Sequence, residues 1–172
     1  MAGSLIKIDE EIVTSAVASV TLTGIDSTYD VYVVRFNNVA PSTDNVSFSV
    51  RFTVSGTPDT SANYDYAQKN IRTSLSFDNI SSTNSTTLFL SRNLGTGTGE
   101  VANGIHYLFN FNNASEYSFL SNEESIRTSD AELLGKQGGG VLTVAQATDG
   151  VQYLVGSGNI VSGTFTLYGL KK

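Results

Sequence analysis

Asn45-Val46-Ser47-Phe48-Ser49-Val50-Arg51-Phe52-Thr53-Val54 alternates apolar and polar side chains without a break. Val46, Phe48, Val50, Phe52 and Val54 fall on one side; Asn45, Ser47, Ser49, Arg51 and Thr53 fall on the other. A sustained period of two is the pattern of a strand with one dry face and one wet face. On a helix the same apolar side chains would be spread around the whole circumference. The chain is therefore expected to be built around a sheet with one face covered by a second layer.

Working outward, residues 31–36 place Tyr32, Val34 and Phe36 against Val31, Val33 and Arg35, a strand apolar on both faces and so central or partly covered. Residues 16–22 put Ala16, Ala18, Val20 and Leu22 on one face, where small side chains suit close packing of layers. Residues 5–8, 74–80, 86–90, 116–120, 141–145, 151–155 and 160–170 read as further strands. Residues 105–111 set Ile105, Tyr107, Phe109 and Phe111 opposite His106, Leu108 and Asn110. Residues 64–72 read as one or two helical turns or as irregular chain. Ser129 to Glu132 fits a capping box ahead of Leu133 and Leu134, with Gly135 as a stop, which predicts at most one short helix near 121–135. Asp149-Gly150 marks a hairpin. These segments add up to about nine or ten short strands. The expected fold is all-β: a single domain over residues 1–172, an antiparallel two-sheet β-sandwich with jelly-roll or Greek-key-like connections.

Composition narrows the function classes. The 172-residue chain carries no cysteine, which excludes disulfides and thiolate metal sites. A domain of this length buries roughly 70% of the surface its unfolded chain exposes and needs no staples. The formal net charge is −6, and the ten Lys and Arg residues form no cluster, so no nucleic-acid partner is expected. The opening residues lack the long apolar core of a secretory leader, and no run approaches the roughly 20 apolar residues of a membrane span, so neither export nor membrane insertion is expected.

Chemistry-bearing constellations are sparse. His106 is the one histidine; with no cysteine and no second histidine it makes no usual zinc site, and no Gly-x-Ser-x-Gly motif accompanies it. It reads as a structural side chain. Gly95-Thr96-Gly97-Thr98-Gly99-Glu100 lacks the Gly-Lys-Ser/Thr ending of a phosphate loop and reads as a surface loop. The carboxylates Asp9, Glu10 and Glu11, Asp26 and Asp30, and Glu123 and Glu124 read as solvated charges. No catalytic residue, metal ligand or cofactor site is expected, and no enzymatic activity. Tyr64, Asp65 and Tyr66 are the candidate ligand contact, because stacking rings beside a carboxylate suit a sugar. The competing reading of these residues puts one tyrosine in the core and the other at the sandwich edge.

Three stretches carry a resemblance: residues 13–25 followed by Tyr29 and the strand 31–36; Val50-Arg51-Phe52 through Gly56 to Asn63-Tyr64; and the ending from Ser162 to Lys172. Together they resemble small β-rich virion proteins of tailed bacteriophages, especially marine phages. The excursion at residues 121–140 departs from the commoner pattern of that group. The resemblance implies a jelly-roll-type structural protein without catalytic residues. Its expected role is capsid decoration or a head knob; the alternative is a tail or fibre component that binds carbohydrate on the host surface. The implied partners are major capsid or tail proteins, further copies of the chain as a homo-oligomer such as a trimer, and host-surface glycan. The implied location is the virion, assembled in the host cytoplasm.

Overall fold

The computed structural model describes residues 4–171. It consists of thirteen strands: β1 (Ser4–Val13), β2 (Ser19–Thr23), β3 (Val31–Pro41), β4 (Val46–Val54), β5 (Thr57–Pro58), β6 (Tyr64–Arg72), β7 (Phe77–Ser85), β8 (Leu88–Leu94), β9 (Ala102–Phe109), β10 (Ser118–Arg127), β11 (Leu133–Leu142), β12 (Gly150–Val155) and β13 (Ile160–Lys171). They form two antiparallel sheets packed as a sandwich. The larger sheet has the order β1-β13-β3-β9-β10-β11-β6-β7; the smaller has β2-β12-β4-β5, with β8 paired to β4.

With β5, β6, β7, β10 and β11 set aside, the remaining strands pair as β1-β13-β3-β9 and β2-β12-β4-β8. Counted along the chain, that order is first, eighth, third, sixth against second, seventh, fourth, fifth, the winding of a jelly roll. The frame is then extended sideways: β10, β11, β6 and β7 continue the larger sheet beyond β9.

The strand read first from the sequence lies at the centre of the smaller sheet as β4. Val46, Phe48, Val50 and Phe52 are buried as the alternation requires. Its second face is also partly covered: Ser49 and Thr53 are buried, and Thr53 Oγ1 donates to Asp149 Oδ1 at 2.6 Å. Across the sandwich, β3 delivers Tyr32, Val34 and Phe36 to the core. Phe36 meets Phe48, His106, Tyr153 and Phe165 with ring centroids 5.0 to 6.2 Å apart, so strands of both sheets share one aromatic cluster.

The sequence allows at most one short helix near 121–135, and among the described residues there is none. The segment is a hairpin, with β10 and β11 in register from Ser118 opposite Leu142 to Arg127 opposite Leu133. Thr128, just ahead of the supposed capping box, closes the hairpin's turn instead: Thr128 N donates to Glu132 O at 2.9 Å, Glu132 N donates to Thr128 Oγ1 at 3.2 Å, and Ala131 takes φ 59. Residues 64–72, expected as helical turns or irregular chain, are strand β6. Both errors have one cause. Inner-facing positions of these strands hold Gln68, Asn70, Asn122, Glu124 and Lys136, and polar side chains on the buried face erase the apolar period.

Asparagine does local work in the turns. Of the nine described non-glycine residues at positive φ, six are asparagine, including Asn45 and Asn84. Asparagine tolerates the left-handed region, which gives those two a conformational role.

Candidate functional site

The extension carries a trough on its outer face. Strand register places side chains in rows across the sheet. One row is Phe109, Phe119, Val141 and Asp65 on β9, β10, β11 and β6. The next is Tyr107, Ser121, Gly139, Ala67 and Ser81, ending on β7. The third is Ile105, Glu123, Gln137, Lys69 and Asn79. Between its tyrosine and its far edge the middle row holds only small side chains, so it forms the floor. The outer rows form the walls. A cavity of about 750 Å³ lies over the first two rows. A second of about 420 Å³ shares Ala67 and Ser81 with it and continues along Lys69, Asn79 and Gln137. The trough crosses five strands, four spacings of about 4.8 Å each, so it is roughly 19 Å long.

Its aromatic groups are unusually open for a sandwich: Tyr107 is 38% exposed, Phe109 37% and Phe119 42%. Polar groups face them from the far wall, where Gln137 Nε2 donates to Glu123 Oε1 at 3.2 Å. Rings at one end and amides, hydroxyls and a carboxylate along the length are suited to stacking on and hydrogen bonding to an extended polar chain.

The three residues expected as a ligand contact separate. Tyr64 is fully buried; its hydroxyl accepts from Phe52 N at 3.0 Å and donates to Asp59 O at 3.1 Å. Burial pushes its phenol well above the ordinary value. It is a core residue, out of reach of any surface ligand. Tyr66 lies at the margin of the trough with its ring stacked on Phe89 of β8, centroids 6.2 Å apart. Asp65 lines the trough, and its Oδ1 accepts from Asn84 N at 2.9 Å. The open rings belong instead to Tyr107, Phe109 and Phe119. Alternation on 105–111 sets Tyr107 and Phe109 on one face, but a row of aromatics reads as core, whereas here the histidine face is the inner one.

His106 is fully buried and sits in a polar network. Its Nδ1 shares a hydrogen bond with Tyr153 Oη at 2.8 Å, and its Nε2 one with Glu124 Oε1 at 3.2 Å. Asn122 Nδ2 also donates to Glu124 Oε1, at 2.9 Å. The Tyr153 hydroxyl is pushed well above its ordinary pKa by burial. Lys136 lies nearby on β11; its ammonium donates to the Leu90 carbonyl of β8 and sits 4.5 Å from the centre of the Phe89 ring. Burial pulls Lys136 down to about 8, against the opposing pull of Glu124. Gln68 Nε2 donates to Phe89 O at 2.7 Å. These groups face the interior, so the network is separate from the trough. Among the described residues, no three His, Asp or Glu side chains gather where they could hold a metal ion.

No family model matches the chain, and no curated protein matches it. Among solved structures it aligns with β-fructofuranosidase from Schwanniomyces occidentalis complexed with fructosyl-erythritol, and with a variant fructofuranosidase from the same organism complexed with fructosylnystose. Identity is 10% and 9%, the alignments cover 98% of this chain and 34% of theirs, and the TM-score is 0.27 in both. The chain thus spans about a third of the length of those enzymes, and a superposition this loose carries no argument about fold or activity.

Proposed function

We propose that this chain is a non-enzymatic structural protein of a tailed-bacteriophage particle, seated on the capsid as a decoration or knob protein. The observation that carries this reading is where the resemblance falls. Residues 13–25, the strand from Val31 to Phe36, the run from Val50 to Asn63, and the ending from Ser162 belong to the jelly-roll frame or its connections; Tyr64, the last residue of the second stretch, opens β6. The rest of the extension lies outside them. A shared frame with an added face is what a particle protein needs if the frame holds the lattice and the added face meets something else. The chain is then expected among the proteins of purified, salt-washed particles; its absence by mass spectrometry overturns the reading.

A second reading is favoured by the trough itself. As a tail or fibre component, the chain grips host-surface glycan along the outer face of the extension, with Phe109 and Phe119 as the platform. Multivalent display makes weak single-site binding effective. Replacing both with alanine should abolish binding to host-cell glycan while the chain keeps its β-sheet circular-dichroism spectrum. Unchanged binding of the Phe109→Ala, Phe119→Ala variant removes the trough from the account.

A further inference from the structure

On the inner face of the extension, one cross-strand row reads Gly104, Glu124, Lys136, Asn70 on β9, β10, β11 and β6. The last three are 6%, 3% and 0% exposed. Asn70 is anomalous. Neither its Nδ2 nor its Oδ1 has a hydrogen-bond partner, although buried amides nearly always find one. On the other side of Lys136, Glu124 uses Oε1 for Asn122 and His106, while its Oε2 is unpartnered. Along the row, the buried lysine is therefore flanked by a carboxamide and a carboxylate oxygen that have no hydrogen-bond partner.

We propose that Lys136 and Asn70 are a site of covalent modification, joined by an intramolecular isopeptide bond formed with the help of Glu124. Directly opposed residues on paired strands have Cβ atoms about 5 Å apart, well within the span of a lysine side chain. The amine turns from the Leu90 carbonyl of β8 toward its neighbour on β6. Neutral Nζ attacks Cγ of Asn70; the Nζ–Cγ bond forms and the Cγ–Nδ2 bond breaks. Glu124 Oε2 accepts the proton leaving Nζ and returns one to Nδ2, which departs as ammonia. The carboxylate ends as it began, and no cofactor, oxidant or reductant is consumed. Low polarity favours the step, because at a pKa of about 8 roughly a tenth of the amine is neutral at pH 7. The product removes the buried ammonium and gives the orphaned amide its purpose. It also locks β6 to β11 beneath β8.

The inference concerns the covalent structure of the chain and is independent of what it binds. Intact mass of the purified, denatured full chain should be lower than the sequence mass by one ammonia. Asn103-Gly104 can also lose ammonia by closing to a succinimide, so the deciding readout is the tryptic digest. A linked Lys136 resists cleavage, giving a branched product in which residues 70–72 are attached to residues 128–171. Lys136→Met and Asn70→Ala should each abolish that product, and Glu124→Gln should slow or abolish its formation. The wild-type readout does not depend on how well the variants fold. Wild-type protein that yields residues 70–72 and 128–136 as separate, unmodified peptides overturns the proposal.

Discussion

Lys136 shows how far one residue's surroundings reach into the behaviour of the chain. An unlinked Lys136 has a folded pKa near 8 against 10.5 for the free side chain, so between those values the unfolded state binds more protons than the folded one. Stability therefore rises with pH across that window, by roughly 3 kcal/mol in total. Tyr153 and Tyr64 act in the opposite sense: their raised pKa values stabilise the fold below about pH 10, and that contribution is lost as the pH rises further. In the Asn70→Ala variant, where no link can form, denaturant titration should show stability climbing from pH 8 to 10. In the linked wild type Lys136 no longer titrates, and the same titration should be flat there. A wild type that climbs like the variant contradicts the link. None of this was legible from composition. Lys136 looks like any surface lysine until register sets it between Glu124 and Asn70.

At the scale of elements, the division between legible and hidden strands follows what covers each one. The central frame strands β3, β4, β12 and β13 pack apolar inner faces against the opposite sheet, and their alternation exposes them directly. The extension inverts the rule. Strands β6, β10 and β11 turn Gln68, Asn70, Asn122, Glu124 and Lys136 inward, while β9 and β10 turn Tyr107, Phe109 and Phe119 outward. At most one short helix at 121–135, with no strand, is the natural reading of a stretch with no visible period. The trough was illegible for the same reason: its rows are assembled from five strands, and periodicity assigns faces but not neighbours. The free end of the extension is held by charge. Arg72 Nε donates to Asp78 Oδ2 at 2.7 Å and its Nη1 to Glu132 Oε2 at 2.6 Å, clamping β6 to β7 and to the β10–β11 turn. Arg72→Ala should speed amide hydrogen exchange in residues 72–78 and 128–134 and leave β3, β4 and β13 protected. Exchange that quickens uniformly would mean the extension does not open as a separate unit.

For the whole molecule, the jelly-roll frame and the extension divide the labour. The frame's aromatic cluster at Phe36, Phe48, Tyr153 and Phe165 fixes the two sheets to each other. The extension adds a second outward surface without adding a second core. If the frame holds the particle lattice, as proposed, the trough is left for a second partner, and many copies on one particle would present many troughs. The most direct test of that account offers labelled, purified protein separately to phage heads stripped of accessory proteins and to intact host cells. The account predicts saturable binding to the heads, whether or not the cells also bind. Binding to cells alone, or to neither, contradicts seating on the capsid; the first outcome transfers the chain to the tail or fibre as a glycan-binding component.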